Sequence, residues 1–170
     1  MAGEAPSKRA EYVRFRAWSI RRIYKMAPQE SRIMEEILEN KRSRIAVVGA
    51  SPKKERPVFV VMSYLLHEEY QLYPVNPAHR GESLLGLSYV ASLKDLPSSD
   101  LDVVALFLAA PRQESVLEDL LQLGTFPVVW FQPGAENPEA EEMLRSKGFT
   151  VFSGYCLMAE RRARRKRKKS

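Results

Sequence analysis

The stretch that most constrains the fold is Ile45-Ala46-Val47-Val48-Gly49-Ala50-Ser51-Pro52-Lys53-Lys54-Glu55-Arg56-Pro57. Four consecutive apolar residues, two of them valine, read as a short strand buried on both faces. Gly49 supplies a turn, and Pro57 suits the first turn of a helix. A buried strand running into a helix through a tight turn is the opening unit of a parallel α/β sheet. Such a corner also presents backbone N–H groups to an anion at the helix start.

The same alternation continues. Val58, Val61, Met62 and Leu65 form the inner face of a helix ending near Glu69. Leu72–Val75 reads as a second strand, ended by Asn76-Pro77. A third, short strand is expected near Ser88–Ala91, followed by a helical turn at 92–96. Leu101–Ala109 is the fourth strand, Pro111 suits the first turn of the next helix, and Gly124 ends that helix. Val128–Phe131 is the fifth strand. Asn137-Pro138 is an N-cap and N1 pair for a helix that ends at Gly148. Phe149–Phe152 is the sixth strand. This order implies parallel strands with right-handed crossovers, and ligands then lie at the carboxyl ends of the strands.

Before the sheet, residues 29–40 read as a helix with Ile33, Met34, Ile37 and Leu38 on one face. Residues 1–28 form a leader. In it Val13, Ala17, Ile20 and Tyr24 recur at helical spacing among Arg14, Arg16, Arg21, Arg22 and Lys25. Such a basic amphipathic helix packs on its own domain or on a second copy in a homodimer; otherwise it meets an anionic membrane, a partner or a targeting receptor. Residues 159–170 read as a basic, disordered tail, because runs of like charge repel.

The net charge of +6 averages over unlike regions. Residues 161–170 carry eight bases and no acid, residues 1–44 carry +5, and residues 45–160 carry −7. A nucleic acid or an anionic membrane therefore becomes a partner only through the ends. No apolar run approaches the roughly 18 residues of a membrane span. A lone Cys156 and the lack of a signal-like N-terminus make the cytoplasm the expected compartment.

The loop Gly49–Pro57 lacks the Gly-x-Gly-x-x-Gly of a dinucleotide site, having Gly49 alone, and no Gly-Lys-Ser/Thr occurs anywhere. No acid ends the second strand to grip a ribose, since Asn76 stands there. From spacing alone two readings remain: an anion-binding loop of Ser51, Lys53, Lys54 and Arg56, or a solvated basic turn. His67, His79 and Cys156 have no metal-ligand spacing, and no nucleophile elbow is present, so neither a catalytic nor a metal set emerges. Glu68-Glu69, Glu118-Asp119 and Glu141-Glu142 read as solvated helix faces. Cys156 reads as small-residue packing, and Trp130 as core with its N–H partnered.

In this order and spacing, residues 33–158 resemble the small stand-alone CoA-binding proteins, relatives of the N-terminal CoA-binding domain of succinyl-CoA synthetase α subunits. The resemblance rests on Ile45–Pro52 with Arg56-Pro57, and on Tyr73-Pro74-Val75-Asn76-Pro77. It continues through Gly81-Glu82, Leu85-Gly86, Ala91–Pro97, Leu101–Val104, Val128–Asn137 and Gly148–Val151 to Cys156. It implies a Rossmann-like, doubly wound sheet of order 3-2-1-4-5 with a sixth strand beyond. It implies coenzyme A or an acyl-CoA bound along the carboxyl edge without catalysis. By position, Gly49, Ala50 and Ser51 face the phosphates, and Arg56, before Pro57, is their cationic partner with Lys53 or Lys54. Val75, Asn76 and Pro77 border the adenosine side. Ala109, Ala110 and Pro111 line the pantetheine path, with Gln132, Pro133 and Gly134 nearby. The family often has Asp-Arg before its last cysteine, where this chain has Gly154-Tyr155. An NAD(P)-dependent module and a scaffold whose basic ends bind a polyanion are the rival readings.

Overall fold

The computed structural model describes residues 26–96 and 100–168. The leader helix expected over 10–26 lies outside them, but for its last residue. The chain divides into two compact units, 1–35 and 36–170. In the first, the described part is residues 26–35, which begin helix α1 (Pro28–Glu39), whose first turn is stapled by Ala27 N–H donating to Glu30 Oε2 at 3.3 Å.

The second unit holds a five-stranded parallel sheet in the order β2-β1-β5-β6-β7. Its strands are β1 (Arg44–Val48), β2 (Gln71–Val75), β5 (Val103–Leu106), β6 (Val128–Phe131) and β7 (Val151–Ser153). Helix α2 (Pro57–His67) joins β1 to β2. Helices α3 (Glu114–Gln122) and α4 (Pro138–Ser146) follow β5 and β6, and α5 (Leu157–Lys168) follows β7. The strand order reverses between β1 and β5, as in doubly wound Rossmann-like sheets. The expected third strand is reduced to one parallel bridge, Val75 to Val90, beside β2. Ahead of it lies a hairpin the sequence reading missed, β3 (Ser83–Leu84) with β4 (Leu87–Ser88). It turns through Leu85 and Gly86, both at positive φ.

Ala46, Val104, Val129 and Val151 stand in one register row across four strands. With Val48, Leu106 and Phe131 they meet Val116 and Leu120 of α3 and Ala140 and Leu144 of α4. Phe131 is fully buried, a burial worth about 1.5–3 kcal/mol. Trp130 points to the other face and is also fully buried, its Nε1 donating to Tyr155 O at 2.8 Å.

The tail corrects an expectation. Residues 157–168 are helix, not disordered chain, and Arg161 and Arg164 are buried. The charge is compensated from afar. Buried Glu68, at the C-cap of α2, accepts from Arg161 at 3.2 Å and from Arg165 at 2.5 Å. Glu160 pairs with Arg164 at 2.9 Å, Lys168 pairs with Glu39 at 2.8 Å, and the Arg162 guanidinium lies 4.7 Å over the Tyr64 ring. Like-charge repulsion is thereby offset by acids and an aromatic face.

The three acid pairs read as solvated faces each hold one structural acid. Besides Glu68, buried Asp119 accepts from Leu93 N–H at 3.2 Å and pairs with Lys94. Glu141 accepts from the Asn137 N–H at 3.1 Å and from the Ser153 hydroxyl at 2.5 Å.

Candidate functional site

The carboxyl ends of the strands form a level edge. Val75, Val48, Leu106, Phe131 and Ser153 are register partners in one line. One residue further, Gly49 donates to Val75 O, Phe107 to Val48 O, Gln132 to Leu106 O and Gly154 to Phe131 O, all at 2.9–3.0 Å. Every loop thus leaves the sheet from a fixed height.

A cleft of about 190 Å³ opens at the β1–β5 reversal. Gly49, Val75, Asn76 and Pro77 line it, so four of the sequence-predicted site residues meet there. Gly49 shapes it for two physical reasons. Its φ is +85°, in the left-handed region that favours glycine. A Cβ there would come within 2.9 Å of Leu108 Cδ2 and 3.3 Å of the Phe107 carbonyl carbon. A side chain at residue 49 would therefore have to displace Leu108 and crowd the backbone of the β5 loop.

Asn76 fastens the β2 loop to the β1 loop. Its Oδ1 accepts from Ala78 N–H at 3.0 Å, its Nδ2 donates to Ala50 O at 2.9 Å, and its N–H donates to Val90 O at 2.9 Å. Both ends of the amide are thus engaged in holding the edge. Ala50 is fully buried beneath that contact. Ser51 Oγ accepts from Lys53 N–H at 3.3 Å, closing the turn that leads to α2. Lys53, Lys54, Arg56 and Pro57 are exposed at the mouth of that turn. Among the described residues none of the three cations makes an ion pair.

Ala109 and Pro111 are exposed and Ala110 is half-buried; Leu108 and Arg112, which flank them, line the cleft. Pro133 and Gly134 are exposed, with Gly134 N–H donating to Glu136 Oε2 at 2.8 Å. Gln132 is buried, and its Oε1 accepts from Leu157 N–H at 3.1 Å, so it holds the start of α5. Buried Gln113 ties these loops together: its Nε2 donates to Leu108 O at 2.8 Å and to Ala135 O at 2.7 Å, and its Oε1 accepts from Asn137 Nδ2 at 2.9 Å.

The sequence reading also missed a helical stripe. Arg112, Ser115, Val116 and Asp119 all line the cleft. They fall at i, i+3, i+4 and i+7, one face of a continuous helical path from the turn Ala110–Arg112 into α3. Ala91, Ser92 and Leu93 close the far side.

The remaining candidates lie elsewhere. His79 Nδ1 bonds Glu82 at 2.9 Å, and His67 ends α2 on the surface. Burial pushes the Cys156 thiol up, so it is held protonated and is a poor nucleophile. Among the described residues no group of three or more His, Cys, Asp or Glu is placed to hold a metal, and no helix is long and apolar enough to cross a membrane.

A Rossmann-like sheet with a cleft at its order reversal defines a nucleotide-cofactor-binding class of domain. Residues 43–162 match the model of the family described as "CoA binding domain". The chain belongs to that family. It is 36% identical over 124 residues to "Uncharacterized protein YneT" of Bacillus subtilis (strain 168), covering 73% of this chain and 88% of that one. Solved structures are similar to it as well, two of them as follows. A hypothetical protein from Pyrococcus horikoshii OT3 is 34% identical with a TM-score of 0.71, over 81% of this chain and 96% of that one. A protein from Thermus thermophilus is 35% identical with a TM-score of 0.70, over 81% and 98%.

Proposed function

We propose that this protein binds coenzyme A or an acyl-CoA along the carboxyl edge of its sheet and performs no chemistry on it. The observation that carries the reading is the Gly49 corner. Backbone there comes close to the β5 loop, and Lys53, Lys54 and Arg56 stand beside it without ion pairs among the described residues. A pyrophosphate at the start of α2 would meet the positive end of the helix and uncommitted cations together. A single glycine suffices for that approach, whereas a nicotinamide dinucleotide calls for the three-glycine fingerprint and an acid at the end of β2. Asn76 occupies that second position, and its amide is already engaged.

In this reading Ala109, Ala110 and Pro111 flank the pantetheine arm, and Pro133 and Gly134 border its far end. Gln132 acts from beneath by holding the start of α5 against the β6 loop. The polyanion-scaffold reading is weakened at the tail, because Arg161, Arg162, Arg164 and Arg165 of α5 are engaged with Glu68, Tyr64 and Glu160. Lone, half-buried Cys156 suits a reducing compartment, and we place the protein in the cytoplasm.

The test compares CoA with pantetheine, which lacks every phosphate, by titration calorimetry. Arg56→Ala should weaken CoA about tenfold, the loss of one solvent-screened charge-assisted contact, and leave pantetheine unchanged. Equal losses for both would mean that Arg56 does not meet phosphate.

A further inference from the structure

Helices α2 and α5 meet at a hydroxyl that the fold leaves unpaired. The Tyr64 hydroxyl oxygen, on α2, is buried and has no hydrogen-bond partner among the described residues. The Arg162 guanidinium of α5 lies 4.7 Å over the same ring. The charged groups that act on the hydroxyl are Glu68 and the three arginines Arg161, Arg162 and Arg165. Burial, aided by Glu68, pushes the hydroxyl's pKa up against the arginines, so it keeps its proton and is a donor. Its neighbours are poorly suited to accept that bond. Guanidinium groups only donate. Glu68, the one acid, already takes Arg161 on Oε2 at 3.2 Å and Arg165 on Oε1 at 2.5 Å. Donors remain in surplus on α5. Arg162 makes no hydrogen bond or ion pair among the described residues, and Arg165 commits one N–H group to Glu68. Both side chains are exposed. Arg164 and Lys168 are matched by Glu160 and Glu39, so three arginines against one carboxylate leave this patch with a surplus of positive charge. A partner that fits it is a negatively charged acceptor with several oxygens.

We propose that α2 and α5 together form a second anion site, for a phosphate group, where the Tyr64 hydroxyl and the Arg162 and Arg165 guanidinium groups converge on the phosphate oxygens. The dianion offsets the surplus charge and accepts charge-assisted bonds from both helices. Arg162 is held over the ring by a stacking contact that is weak at exposed sites. Its side chain therefore turns its N–H groups to the anion and uncovers the hydroxyl. Arg161 stays on Glu68 and keeps α5 docked. Tyr64 lies seven residues after Pro57 on α2, about 10 Å along the axis, so the site is separate from the Gly49–Arg56 corner. It stands whether or not that corner takes CoA.

The experiment titrates inorganic phosphate into the full chain by calorimetry at constant ionic strength, for wild type and for Tyr64→Phe, Arg162→Gln, Arg167→Gln and Arg56→Ala. Tyr64→Phe keeps the ring and removes the hydroxyl, and it should weaken phosphate about tenfold, the loss of one hydrogen bond to a charged group. Arg162→Gln should weaken it by a similar factor, about tenfold. Arg167→Gln, on the same helix and exposed, should leave binding unchanged, and so should Arg56→Ala at the corner. Without phosphate, Tyr64→Phe should melt no lower than wild type, because the hydroxyl it loses has no partner, and this separates a binding loss from a folding loss. Methyl phosphate, run alongside, distinguishes the source of the group. Binding as tight as that of inorganic phosphate supports a site for a phosphorylated ligand, and much weaker binding supports one for the free ion. If wild type takes up no phosphate, or Tyr64→Phe binds it as wild type does, the site is overturned. If binding is lost in Arg56→Ala and kept in Arg162→Gln, the ion sits at the corner, and the proposal fails without touching the CoA reading. If Arg167→Gln weakens binding as much as Arg162→Gln, only diffuse attraction to a basic helix is present, and the proposal fails as well.

Discussion

Gly49→Ala is the most informative single substitution at the site. Two costs follow from the geometry. An alanine at φ +85° pays about 1–2 kcal/mol for the left-handed conformation. Its Cβ also meets Leu108 Cδ2 at 2.9 Å and the Phe107 carbonyl carbon at 3.3 Å. Leu108 can swing away, but the Phe107 backbone is pinned by its N–H bond to Val48 O at 2.9 Å. Overpacking of this kind costs about 1–3 kcal/mol, and because Leu108 yields, about 1–2 is expected. The total is about 2–4 kcal/mol, or about 4–16 °C in Tm for a chain of this length. Gly81→Ala is the control. Gly81 has nearly the same φ, +83°, but nothing lies within 4 Å of its added Cβ. It should lose only the conformational part. Urea unfolding of both variants isolates the crowding, and Gly49→Ala should be worse by at least about 1 kcal/mol. It should also weaken CoA binding, since Leu108 lines the cleft, while Gly81→Ala should not. Equal destabilisation of the two would refute the close approach of the β1 and β5 loops.

Glu68→Ala leaves Arg161 buried without its acid, and the half-exposed Arg165 adds little, so a loss of about 2–4 kcal/mol is expected. Urea unfolding and far-ultraviolet circular dichroism check this, with helicity falling as α5 frays; Lys168→Ala, at an exposed pair, should stay within about 0.5 kcal/mol. Burial pushes the Tyr70 hydroxyl up to about 12, and that hydroxyl donates to Leu38 O. The folded state therefore keeps its proton where the unfolded chain, titrating near 10, has lost it. Stability falls as pH rises from about 10 to about 12, and Tyr70→Phe should remove this component of the fall in denaturation series across that range.

The sheet was legible because each of its strands carries its own signal. Ile45–Val48, Val103–Leu106 and Val128–Phe131 are continuous apolar runs, and Pro57, Asn137-Pro138 and Gly148 mark helix ends by local chemistry. What escaped depends on partners distant in sequence. The α5 run repels itself until Glu68, 93 residues earlier than Arg161, is folded beside it, so local charge counting gave the wrong state. Asp119 looked solvated because its partners, Leu93 and Lys94, belong to another segment. The β3–β4 hairpin turns on Leu85 at positive φ, a conformation that leucine does not advertise. The cleft was half visible. Gly49, Val75, Asn76 and Pro77 stand out by chemistry at strand ends. The Arg112–Asp119 stripe is a 3.6-residue pattern, but it begins in a turn, ahead of where the helix was read to matter.

The central claim is cofactor identity, and the most direct measurement is the unfolding free energy of the full chain with CoA or NADP. With CoA at about 100 times its Kd the protein should gain about 2.7 kcal/mol, and NADP at the same concentration should give no gain. Stabilisation by NADP with none by CoA would contradict it.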